Sequence, residues 1–167
     1  MVDILLEFGQ SPFSLAMATS PWVVPTMQSL HILALAIIFT SVLVIAGRIH
    51  GLVWADVSLK QTAARFSPWA LGALAVLVCT GIILILAEPV REILALSFWI
   101  KMALLAGSIV IAMRFIKKMK SDDSEITPAM RRMAIVTIVL LVGIIFLGRF
   151  IAYDPLIWGQ LSPITHI

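Results

Sequence analysis

Phe66-Ser67-Pro68-Trp69-Ala70-Leu71-Gly72-Ala73-Leu74-Ala75-Val76-Leu77-Val78-Cys79-Thr80-Gly81-Ile82-Ile83-Leu84-Ile85-Leu86-Ala87 runs for 22 residues without a charged side chain. A spanning α-helix needs about 20 apolar residues to cross roughly 30 Å of hydrocarbon, so this segment reads as one complete crossing. Pro68 falls in its first turn, where a missing N–H does no harm, and Glu88-Pro89 stops it.

Three further windows of the same kind flank it, at about 22–47, 93–115 and 133–153. Hydrophobic residues make up 61% of the 167 and charged residues 13%, with a mean hydropathy of +1.08. Those fractions lie outside the range of a soluble domain. The expected fold is therefore an all-α integral membrane bundle of four helices, a single domain over residues 1–167 whose natural partner is the lipid bilayer. No stretch remains for a soluble catalytic domain. The single cysteine, Cys79, excludes an intramolecular disulfide and a cysteine-rich zinc or iron–sulfur site. P-loop, HExxH, nucleophile-elbow and dinucleotide fingerprints are absent, which argues against hydrolytic and nucleotide-driven functions.

Net charge is +3, but the basic residues sit beside the spans, a signature of topology rather than of nucleic-acid binding. The segment after the first span carries Arg48, Lys60 and Arg65. The segment after the third carries Arg114, Lys117, Lys118, Lys120, Arg131 and Arg132. Both are expected on the cytoplasmic side, giving an N-out, C-out topology in a bacterial inner membrane. Residues 1–20 lack a positive n-region and carry Asp3 and Glu7, so they read as a short interfacial helix rather than a cleaved signal. The tail from Asp154 to Trp158 is expected to return to the same interface, with Trp158 at headgroup depth. Small residues four apart, Gly47/Gly51, Ala103/Gly107 and Ser108/Ala112, offer close helix contact.

Three side chains stand out as chemistry-bearing. His31 lies nine residues inside the first span, roughly 13 Å along its axis from the outer end. An ionisable group at that depth either hydrogen-bonds a neighbouring helix as neutral imidazole or serves a functional site. Lys101 shares the outer half and either joins His31 in one cavity or snorkels outward. Arg149 is near the outer end of the fourth span, where snorkelling is its expected course. With Glu88, Glu92 and Tyr153 they gather the polarity of the spans on the outer side, leaving the inner half to plain packing.

An imidazole above two cations suits a b-type haem, iron on His31 and propionates on Lys101 or Arg149. His50 is roughly 28 Å further along the same helix and cannot share that haem. Met27, Met102, Lys101 and His166 remain open as a sixth ligand, as does a site with none. The eight methionines form no tight group that would single out copper.

Two stretches carry a family likeness. Ser29-Leu30-His31-Ile32-Leu33-Ala34 and Phe98-Trp99-Ile100-Lys101-Met102-Ala103-Leu104-Leu105 resemble the small four-helix bacterial membrane proteins of the CopD and HemJ (protoporphyrinogen oxidase) group. Ser20 through Gly51, with Arg48-Ile49-His50-Gly51-Leu52, looks like an uncharacterised bacterial family of this length with the same four-helix plan. The resemblance covers about residues 20–115 and implies bound haem b with His31 and Lys101 important. The third span departs from the group by ending Ala112-Met113-Arg114-Phe115, without a histidine. The leading expectation is thus a haem b-binding redox protein moving electrons near the outer face to a quinone or periplasmic partner. The alternatives are a non-catalytic subunit or anchor of a homo-oligomer or larger membrane complex, and CopD-like copper transport.

Overall fold

A computed structural model describes residues 2–121 and 126–166; the side chains of 118–121 and of His166 lie outside the description. Its helices are α1 (Val2–Gly9), α2 (Pro12–Thr19), α3 (Val23–Ile49), α4 (Leu59–Ala87), α5 (Pro89–Ile93), α6 (Leu96–Ser121), α7 (Pro128–Phe150) and α8 (Asp154–Trp158), followed by 3-10 turns to His166. α3, α4, α6 and α7 are long and apolar enough to cross a membrane, with mean hydropathies of 1.9 to 2.7 over their most apolar windows.

Start and stop chemistry sets their ends. Ser58 caps α4, its hydroxyl accepting from the Gln61 amide at 3.1 Å. α4 therefore begins seven residues before the uncharged run, taking in Lys60 and Arg65 and leaving Pro68 inside the helix rather than in its first turn. Likewise Thr127 caps α7 at the Met130 amide and Pro128 occupies the first helical position, so Arg131 and Arg132 are helical. Each helix runs past the hydrocarbon because a polar cap, not the last apolar residue, decides where it starts.

Gly47 and Gly51 serve a different purpose from helix contact. Leu52 N–H reaches Gly47 O at 2.8 Å and Gly51 N–H reaches Arg48 O at 3.1 Å, while Gly51 takes φ +73°. These are the two bonds of a Schellman stop, which glycine makes without strain. A Cβ on Gly47 would also lie 3.0 Å from Val53 Cγ2, and Gly107 faces open space. Of the small residues expected at contacts, Ser108 is buried.

Packing runs in the order α4, α3, α7, α6, with α4 and α6 sharing at most glancing contact. Small buried residues set the α3/α4 contact: Ala34 and Ser41 on one side, Ala73, Thr80 and Ala87 on the other, each seven apart. That spacing keeps one narrow stripe of each helix on the seam and lets the backbones approach. α7, which touches both neighbours, buries the larger Met130, Leu141, Ile144 and Leu147. At the end holding the two basic connections, Ala46, Ile49 and Ala134 form a core with Ile45, Leu59, Phe115, Ile126 and Ile138 from all four spans.

Both termini lie at the opposite end, and both are tied down. α2 places Ser14, fully buried, so that its hydroxyl proton is shared between the Leu86 and Ala87 carbonyls at 3.0 and 3.2 Å. Gly9 meets Pro89 and Val90. Val2–Gly9 and Pro12–Thr19 thus form two short helices, α2 docked on the end of α4 and α1 on α5. Asp154, also fully buried, accepts from the Leu96 and Ser97 amides at 3.1 and 2.9 Å and from the Ser162 hydroxyl at 2.6 Å. Trp158 Nε1 donates to Ser97 Oγ at 2.8 Å, so the tail is packed on α6 by hydrogen bonds.

Asp154→Ala leaves two helix-end amides and a hydroxyl without acceptors in a buried place. We expect its thermal unfolding midpoint in mild detergent to fall by roughly 5–15 °C, equivalent to about 2–4 kcal/mol, with Asp154→Asn between the two. Circular dichroism melts check this; an unchanged midpoint would show that the carboxylate does not hold the tail.

Candidate functional site

His31 enters the structure eight residues after α3 begins and Thr80 seven residues before α4 ends, because the two helices run antiparallel along the small-residue seam. His31 Nδ1 lies 2.9 Å from Thr80 Oγ1. The same oxygen is 2.8 Å from Val76 O and 3.1 Å from Leu77 O, one turn back on α4. A hydroxyl has one proton, and the back-bond to the helix carbonyl takes it. Oγ1 then offers lone pairs to the ring, so Nδ1 carries the imidazole proton and Nε2 is left bare. Gly81 stands opposite: a Cβ there would be 3.6 Å from His31 Cε1. That is an ordinary contact distance, so the ring packs against α4 at Gly81.

Lys101 begins five residues into α6. Its Nζ lies about one contact distance from Gly148, 4.0 Å from where a Cβ would stand, only two residues from the end of α7. The side chain therefore climbs along α7 towards the end that holds the termini. Among the described residues the ammonium has no hydrogen-bonded or ion-paired carboxylate. His31 meets α4 and Lys101 meets α7, and among the described residues no hydrogen bond joins the two.

Arg149 is not drawn in with them. It is exposed, its guanidinium 5.5 Å from the centre of the Tyr153 ring, a cation–π contact at the end of α7. Arg91 bridges Glu88 at 2.7 Å and Glu92 at 3.7 Å. Burial is the main influence on the Glu92 carboxyl and pushes it above its ordinary value, against the lowering pull of Arg91 and Lys101. His50 sits at the far end of α3, and Cys79 is exposed. Met27 is one turn from His31 on the same helix; Met102 is exposed. His166 falls outside the described side chains. Among the described residues no three His, Cys, Asp or Glu side chains converge as a metal site.

Thr80 was not singled out by sequence reasoning. Its signal was its spacing: the one hydroxyl between Ala73 and Ala87 on a seven-residue stripe inside an uncharged span.

Thr80→Val keeps the shape and removes the acceptor. Nitrogen-15 spectra of the imidazole should show a single Nδ1–H tautomer in the wild type and a mixture in the variant, at a stability cost of about 1 kcal/mol. An unchanged tautomer would disprove the assignment. For Glu92 the sign follows from its raised value: the folded state binds more protons than the unfolded one, so stability falls as pH rises through the window above the ordinary carboxylate value. Glu92→Gln should match wild type in melts near about pH 3.5 and exceed it near about pH 7.5.

Residues 12–154 match DUF6644, described as a family of unknown function. No curated protein and no solved structure matches the chain. With most of its length covered, from the start of α2 to the buried Asp154, this four-span membrane protein belongs to the DUF6644 family.

Proposed function

We propose that this protein binds haem b and transfers electrons near the membrane face on which its termini lie, with His31 Nε2 as the iron ligand and Lys101 as a counter-charge for a propionate. The observation carrying this reading is the Thr80 contact: a hydrogen bond at Nδ1 fixes the ring and leaves Nε2 free, the arrangement a metal-ligating histidine uses. Bound haem b would supply one-electron chemistry.

The chain's own residues have definable tasks in this reading. Thr80 holds the imidazole against α4, where Gly81 lies beside Cε1. Lys101, without a carboxylate in ion-pair range among the described residues, carries a charge available to an anionic group near the terminal end. Arg149, stacked on Tyr153 at the same end, offers a second cation. Glu92 limits the net positive charge there, through its own interaction with Lys101. The likeness of the His31 and Lys101 stretches to the CopD and HemJ group supports the same assignment. A bacterial inner-membrane location and a quinone or periplasmic redox partner belong to this reading.

A non-catalytic subunit of a larger membrane complex is the second reading, favoured by the open order of the helices. α4 and α6 stand at its two ends with Trp69, Leu71 and Ile82, and Ile109 and Met113, exposed. Copper transport draws less support, since Cys79 is exposed and His50 lies at the other end of the bundle from His31.

Purified from haem-replete cells in mild detergent, the protein should show a Soret band that sharpens on dithionite reduction. His31→Ala should lose it while keeping its helical circular dichroism, and Lys101→Ala should weaken haem retention. A colourless wild type would sink the haem reading and favour the subunit reading.

A further inference from the structure

Away from His31, a groove of about 320 Å³ lies between α6 and α7, lined by Ile111, Ala129, Arg132, Met133 and Val136. Its position follows from helix register. Ala129, Arg132, Met133 and Val136 are spaced three and four apart, one face of α7 within its first nine residues. Ile111 is fifteen residues into α6, past the middle of that span. The groove therefore occupies the half of the bundle nearest the basic connections. Val136 is exposed on its wall, so the groove opens to the surface that faces lipid.

Its chemistry divides by depth. The walls are aliphatic apart from Arg132, which is exposed at the groove and has no carboxylate in ion-pair range among the described residues. Arg131 is exposed beside it, and Arg114, one turn beyond Ile111 on α6, is exposed on the facing helix. A slot with apolar walls and guanidinium groups at its basic end complements one particular amphiphile. A soluble anion would leave the aliphatic length bare, and an apolar helix would bury Arg132 against nothing. In a bilayer the molecule with an apolar chain and a fixed negative head at that depth is an anionic phospholipid. Basic pockets between spanning helices on this side commonly take such headgroups.

We infer that the α6/α7 groove is a binding site for one anionic phospholipid, an acyl chain lying along Ile111, Met133 and Val136 and the phosphate paired to Arg132. Guanidinium fits this task because its planar fork pairs two phosphate oxygens at once. The site is independent of haem, so it stands or falls apart from the redox reading.

Native mass spectrometry of the full chain in detergent, titrated with phosphatidylglycerol or with phosphatidylcholine of identical acyl chains, tests it. The wild type should retain one phosphatidylglycerol with about fivefold preference over phosphatidylcholine, the selectivity that a basic side chain at the surface confers. Arg132→Ala should abolish the preference, Arg132→Lys should keep part of it, and Val136→Trp should reduce binding of both lipids by filling the groove. Lys60→Ala, a basic residue at the same end on α4, should change nothing. Equal retention of the two lipids by wild type, an undiminished preference in Arg132→Ala, or an equal loss in Lys60→Ala would each overturn the site. Competition by inorganic phosphate alone would also overturn it, by showing an anion site without a chain.

Discussion

In hydrocarbon a backbone amide has no water to fall back on, so every helix that ends near the membrane must find its partners within the chain. Asp154 meets that demand for α6. Its carboxylate takes the first amides of the helix, Leu96 and Ser97, and the Ser162 hydroxyl, while Trp158 Nε1 donates to Ser97 Oγ beside it, so the tail is held at the same point. Negative charge at a helix N-terminus is favourable in itself. Here it also decides where α6 starts, separates α5 from it by Leu94 and Ala95, and sets the level of Lys101 in the bundle.

The end of α4 has its own tie at the same face. Ser14 supplies the last carbonyls of α4 with a donor, which brings the N-terminal helices onto Pro89 and Val90. Because α4 is held at its end and slides close to α3 on a small-residue stripe, Thr80 meets His31 at hydrogen-bond distance. The polar site is thus framed by capping interactions at one end, and the apolar core around Ile49 and Ala134 closes the other. The contrast explains why polar side chains cluster near the termini while the basic end shows apolar packing with charges only at its rim.

A histidine in a membrane helix was expected either to bond a neighbouring helix or to serve a site, and the structure shows the bond, from α3 to Thr80 of α4. Nδ1 is engaged with Thr80, which defines the tautomer, and the free Nε2 follows from that engagement. Lys101 brings its ammonium beside Gly148, two residues from the end of α7.

The crossings themselves were legible in the sequence, since an uncharged run such as residues 66–87 can lower its free energy only by leaving water. So were the stop at Glu88-Pro89 and the depth of His31, which depend on local chemistry and on a fixed rise per residue. What the tertiary structure alone decided are the relations between helices. Whether Gly47 and Gly51 pack a helix or end one, whether Asp154 floats at the interface or caps α6, and which nitrogen of His31 is free all depend on atoms distant in sequence. Hydropathy cannot order four apolar helices, because lipid and a neighbouring helix are equally apolar surroundings. Close approach of small residues and a few satisfied hydrogen bonds make that choice.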